Sequence, residues 1–95
     1  MSLKKAYEQK LQAQLDEWNA EIEKLKAKVD NAEADSQLKY YKQIEEIRSM
    51  QESASNKLVE LKDAGDDAWE DLKAGVDSAW DSLGTAVKSA ASRFK

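Results

Sequence analysis

The sequence predicts an all-α protein, and three observations carry that prediction. Proline is absent from all 95 residues and glycine is scarce at three. The first 63 residues are dominated by Ala, Leu, Glu, Lys and Gln, all good helix formers. Apolar residues recur at alternating steps of three and four, the signature of one helical face. An all-β fold would need the turn chemistry of glycine and proline, which this chain lacks. The expected organisation is one helical domain over 1–95. It divides into a long helical segment 1–63, a short linker 64–66 and an amphipathic helix 67–95.

The first segment opens with a heptad seam. Leu15, Ile22 and Val29 take position a, and Leu11, Trp18, Leu25 and Ala32 take position d. β-Branched residues at a with leucine at d favour two strands, while the bulk of Trp18 leaves a larger bundle open. Glu21 with Lys26, and Lys28 with Glu33, are candidate charge pairs flanking the seam. Two steps of four follow in succession through Ser36, Tyr40 and Ile44, which is a stutter in the period.

From residue 46 the chain divides into blocks of eleven. Their inward positions are Ile47, Met50 and Ala54, then Leu58, Leu61 and Gly65, then Trp69, Leu72 and Val76. Trp80, Leu83 and Val87 follow, then Ala91 and Phe94. Eleven residues make three turns at about 3.67 per turn, so the stripe runs almost straight. Trp69 and Trp80 therefore share one face. The self-association seam is read as Leu11, Leu15, Trp18, Ile22, Leu25, Val29, Ile44, Ile47, Leu58 and Leu61. The contact face of the last helix is read as Trp69, Leu72, Val76, Trp80, Leu83, Val87 and Phe94.

Two places can interrupt the helix. At Asp63-Ala64-Gly65-Asp66-Asp67, glycine can take the left-handed C′ conformation, and Asp67 with Glu70 forms a capping box. Asp66, Asp67, Glu70 and Asp71 then crowd the positive end of the next helix, and Lys88, Arg93 and Lys95 its negative end. Asp30-Asn31-Ala32-Glu33 also reads as a cap box but contains no glycine. Two architectures follow. The preferred one has a helix over about 2–63, some 90 Å long at ~1.5 Å per residue, followed by an amphipathic helix 67–93 in a coiled-coil oligomer. The alternative is a monomeric, spectrin-like three-helix bundle with breaks near 31 and 65.

Composition narrows the chemistry. Histidine and cysteine are absent. No imidazole base, thiolate nucleophile, disulfide or Cys/His metal site can form. No cofactor motif is found, and no enzyme activity is expected. The Asp63 to Asp71 stretch does not fit an EF-hand and reads as helix capping. Gly75 and Gly84 each cost a helix interior about 1 kcal/mol against alanine, and the sequence leaves open whether either serves close packing.

The 15 basic and 19 acidic residues interleave, for a net charge of −4. Nucleic acid is not an expected partner, because its binding rests on clustered Lys and Arg. Tyr40, Tyr41 and Lys42 read as aromatics beside a solvated face rather than a stacking site. No apolar run approaches the ~20 residues of a membrane span, and the N-terminus lacks a signal-peptide pattern. The expected location is the cytoplasm. The expected partner is a second copy of the chain, with another protein as an alternative.

Eleven-residue amphipathic repeats also lie on lipid surfaces. Here Asp66, Asp67, Glu70, Asp71, Asp77 and Asp81 outnumber Lys73, Lys88, Arg93 and Lys95. Interfacial helices usually display basic polar faces, so protein packing explains the stripe better than a membrane surface.

Three stretches carry a resemblance: Leu11-Gln12-Ala13-Gln14-Leu15-Asp16-Glu17-Trp18, Tyr41-Lys42-Gln43-Ile44-Glu45-Glu46-Ile47 and Ala68-Trp69-Glu70-Asp71-Leu72-Lys73-Ala74-Gly75-Val76. The chain resembles small bacterial coiled-coil proteins of the stress-response and apolipoprotein-like class. The resemblance spans nearly the whole chain and its motifs are structural. It implies helices, a bacterial source and no catalysis, and it carries over no site residue. The functional expectation is a non-catalytic, self-associating coiled-coil protein with a stress-related structural or adaptor role. Reversible membrane-surface or lipid binding through the last helix is the alternative.

Overall fold

Ser2 begins the first helix: its extended backbone stops the chain from continuing as helix, and its hydroxyl accepts from the Lys5 amide at 3.1 Å. The computed structural model describes residues 2–65 and 67–93. They form three helices: α1 over Leu3–Asp30, α2 over Ala34–Asp63 and α3 over Ala68–Arg93. The described residues contain no strand. The helices run up, down and up. Lys4 in α1 meets the end of α2 at Lys62 and Ala64, Tyr7 meets Asp77 in α3, and Tyr40 near the start of α2 meets Arg93. The molecule measures 51 × 19 × 17 Å.

The all-α class is therefore as expected, but the continuous helix 2–63 is not. The chain turns at Asn31, Ala32 and Glu33, so the three-helix order is the observed one. Asp30 does not cap a new helix; it is the last residue of α1. Glu33 takes the N-cap position of α2 without a side-chain cap bond. The physical reason is burial. A lone long helix would leave its apolar stripe in water. Folding back covers Leu25 and Val29 on one side and Ile44 and Ile47 on the other. Each such side chain contributes about 1.5–3 kcal/mol on burial. The few helical hydrogen bonds given up at a turn are worth about 1 kcal/mol each, so burial wins.

Side chains of neighbouring helices close the exposed helix ends. Gln37 Nε2 donates to the carbonyls of Val29 at 3.1 Å and Asp30 at 3.3 Å, covering the end of α1. Asn31 Nδ2 adds a bond to the Ala27 carbonyl at 3.1 Å. Lys4 Nζ donates to the carbonyls of Ala64 at 2.6 Å and Lys62 at 3.1 Å, so α1 supplies the cation at the negative end of α2.

The second turn also differs from expectation. Gly65 is not left-handed, since no described glycine has positive φ. The helix ends instead because Ala64 is extended, at φ −71° and ψ 145°. The Gly65 carbonyl then accepts from the Ala68 amide at 3.1 Å and the Trp69 amide at 3.2 Å. Asp66 and Lys95 in the expected dipole arrangement lie outside the described residues, as does Phe94 in the expected contact face.

One core runs the length of the bundle. Leu11, Leu15, Ile22, Leu25 and Val29 from α1 meet Ile44, Ile47, Ala54, Leu58 and Leu61 from α2. Trp69, Val76, Trp80, Leu83, Val87 and Ala90 close it from α3. A polar lattice fixes the register of α1 on α2. Arg48 Nη1 donates to Asn19 and Gln51 at 3.0 Å each, and Arg48 Nη2 pairs with Glu23. That is the one ion pair among the described residues; neither Glu21–Lys26 nor Lys28–Glu33 forms. The antiparallel hairpin instead brings Arg48 of α2 to Glu23 of α1. Leu25 is fully buried. Leu25→Asp is expected to cost at least about 3 kcal/mol by placing a carboxylate in this core. Urea denaturation followed by circular dichroism reads the loss; an unchanged midpoint would refute the core assignment.

Candidate functional site

The α1–α3 interface is built differently from the other two. The backbones of α1 and α3 run less closely together than those of either other pair, and bulky aromatic side chains stand between them. Trp69 and Trp80, eleven residues apart, face the same side of α3 and are both buried. Trp80 Nε1–H donates to the Leu11 carbonyl at 3.2 Å, so its one polar group is satisfied inside the core. Near the start of both helices the Tyr7 and Trp69 rings lie 5.8 Å apart at an interplanar angle of 40°. Lys73 Nζ stands 5.5 Å from the Tyr7 ring centroid, within cation–π range.

The Tyr7 hydroxyl donates to the Asp77 carboxylate. Burial first, then that hydrogen bond and the negative charge of Asp77, push the phenol well above its ordinary value. Tyr41 is also raised, first by its hydrogen bond to Asp30 across the α1–α2 turn. The Tyr7 hydroxyl ties together residues 70 positions apart, and the Tyr41 hydroxyl closes the 31–33 turn.

Further along, Trp18 reaches over Gly84. A β-carbon on Gly84 would stand 2.9 Å from Cζ2 of Trp18, so the ring occupies space that only glycine leaves free. Gly75 meets nothing within 4 Å and has no such role. Beside Trp18 lies an open groove of about 570 Å³, floored by Trp80 and Gly84 and rimmed by Glu17, Glu21, Asp81 and Lys88. It offers an aromatic wall and surface carboxylates. Its lining holds carboxylates, Lys88 and Thr85, and no imidazole or thiol, since the sequence contains neither. Among the described residues no cluster of acidic side chains could hold a metal ion. No described helix is long and apolar enough to cross a membrane.

Both residue sets singled out from the sequence meet in this one core. Leu11, Leu15, Ile22, Leu25, Val29, Ile44, Ile47, Leu58 and Leu61 are buried against other helices of the same chain. Trp18 is half-buried at the groove. Trp69, Val76, Trp80, Leu83 and Val87 are buried and Leu72 is half-buried. Sequence reasoning missed Glu8, which is 8% exposed. Its signal was present: it lies seven residues before Leu15 and continues position a of the heptad. The roles of Tyr7 and Lys4 had no such signal, because their partners are 58 to 70 residues away. The chain matches no protein-family model, and no curated protein or solved structure is significantly similar to it.

Two outcomes follow from this geometry. Gly75→Ala should stabilise the protein by about 0.5–1 kcal/mol through helix propensity. Gly84→Ala should destabilise it despite the same propensity gain, because the Trp18 ring must move. Equal gains in both variants, measured by chemical denaturation, would remove the Trp18 contact. The raised Tyr7 pKa sets the sign of an alkaline effect. Its stabilisation is complete below the unfolded value near pH 10 and is lost as pH rises through the higher folded value. The parent should therefore lose more stability above about pH 10 than Tyr7→Phe. Denaturation curves at stepped alkaline pH, with phenolate absorbance in parallel, check this.

Proposed function

We propose that this protein is a non-catalytic, cytoplasmic helical module that works by association through its helices, as a structural or adaptor protein, with a second copy of itself as its first partner. The observation that supports this reading is the continuity of the apolar stripe. Inward positions run from Glu8 through Val29, Ala32, Ser36 and Tyr40 to Leu61 at steps of three and four, with no loss of phase at the 31–33 turn. A stripe of that form can be covered either within one chain or between chains. The stress-related role rests on the resemblance in the sequence alone.

Reversible binding to a membrane surface through α3 is the second reading. It is favoured by α3 having the most one-sided apolar face of the three helices and by its looser approach to α1. It requires α3 to leave the bundle, since Trp69, Trp80 and Leu83 are buried in it.

Sedimentation velocity over a wide concentration range tests the first reading. An elongated dimer growing with concentration is expected, and a monomer throughout overturns it. Flotation with phosphatidylcholine vesicles, with and without phosphatidylserine, tests the second. Flotation that Trp80→Ala and Leu83→Ala both weaken would transfer the assignment to the lipid surface. No flotation of the parent would remove that reading.

A further inference from the structure

The α1–α2 turn is weakly made. Asn31, Ala32 and Glu33 include no glycine or proline, none has positive φ, and Glu33 makes no side-chain cap bond. Their helix propensities lie within about 0.7 kcal/mol of alanine each, so a continuous helix through them is inexpensive. Straightening would also return intrahelical partners to the carbonyls ending α1 and the amides starting α2. What opposes it is the hairpin clasp: Gln37 on Val29 and Asp30, and Tyr41 on Asp30. Along a straight helix these partners would stand roughly 10–16 Å apart at ~1.5 Å per residue, so the clasp exists only in the bent form.

The buried surface, by contrast, survives straightening if a second copy supplies it. We propose that the chain exchanges α1 with a second copy of itself. Residues 31–33 straighten, α1 and α2 join into one helix from Leu3 to Asp63, and each copy's α1 packs on α2 and α3 of the other. The inference rests on the self-association reading and names the form the association takes. The stripe keeps its phase across the turn, so Leu11 to Val29 meet the same α2 and α3 side chains in the second copy that they meet within one chain. The Arg48 bonds to Asn19 and Glu23 re-form between copies in the same register, as does the Trp80 bond to the Leu11 carbonyl. The 64–67 connection keeps its shape. Only the clasp is lost, against regained helical bonds at each turn. The balance between bent monomer and exchanged dimer is then set mainly by concentration and by the turn residues.

The test uses two turn variants and one distance. Asn31→Ala/Gln37→Ala/Tyr41→Phe removes the clasp and favours helix; Ala32→Gly/Glu33→Gly favours the bend. The dimer dissociation constant should fall about tenfold or more in the first and rise about tenfold in the second, as expected for changes near 1.4 kcal/mol. Gln12→Cys/Ser55→Cys places spin labels on exposed residues that line one groove between α1 and α2. The chain has no native cysteine to interfere.

Doubly labelled chain, mixed with excess unlabelled chain, is isolated as dimer, and the intramolecular distance is read by double electron–electron resonance. Exchange predicts a separation of roughly 65 Å, from 43 residues at ~1.5 Å each. A short distance retained in the dimer overturns exchange and leaves self-association standing. No dimer in parent or straightened chain overturns both. If the straightened variant fails to fold, the glycine variant decides: an unchanged dissociation constant there overturns exchange.

Discussion

The rest of the fold depends on one constraint: the apolar stripe from Leu11 to Leu61 lies on one side of what could be a single helix, and it has to be covered. A helix satisfies its own backbone but not its own apolar face. The chain meets the constraint by bending at 31–33 and by adding α3 along the groove between the first two helices. Helix order, register and end caps follow from that bend. Gln37 can reach Val29 and Asp30 only because the chain has turned, and Lys4 can reach Ala64 only because α2 has come back beside α1. The polar bonds do not create the hairpin. They select its register after burial has made it favourable, and exposed pairs such as Arg48–Glu23 add no more than about 1 kcal/mol.

The third helix packs closely on α2, but its fit to α1 is accommodated rather than matched. Aliphatic residues of α1 and α2 interlock closely, whereas α1 and α3 are held apart by Tyr7, Trp18, Trp69 and Trp80. Large rings bring much buried area but demand room, and two devices supply it. The missing side chain at Gly84 receives Trp18, and the Leu11 carbonyl receives the Trp80 N–H. The groove beside Trp18 is what remains where no side chain fills the gap. The α1–α3 interface therefore carries more of its stability in a few aromatic contacts than the α1–α2 interface does.

Much of this was legible in the sequence. The heptad and eleven-residue spacings named nearly every core residue, because inward orientation in a helix depends only on period. The sequence admits a break at 31–33 but favours a continuous helix, because the cause of the break is not local. Asn31, Ala32 and Glu33 contain no residue that forbids helix, and the turn exists for burial achieved up to thirty residues away on either side. Gly65 shows the converse. Its local signal suggested a left-handed cap, yet the neighbouring Ala64 performs the break with ordinary extended backbone. Gly84 could be assigned a purpose only with Trp18 in view. No one-dimensional pattern joins positions 66 residues apart on different helices. Glu8 was within reach, since extending the heptad by one step places it inside. It was missed because a carboxylate is not what that position ordinarily holds.

An odd number of antiparallel helices has a mechanical corollary. Lys4 of α1 and Arg93 of α3 stand at opposite ends of the 51 Å body. Tension applied between the two ends is directed along the helix axes and loads the interfaces in shear, so many contacts resist together. An even-numbered bundle, with both ends on one side, would instead be peeled open one turn at a time. The two ends of this bundle are held apart by the length of the body.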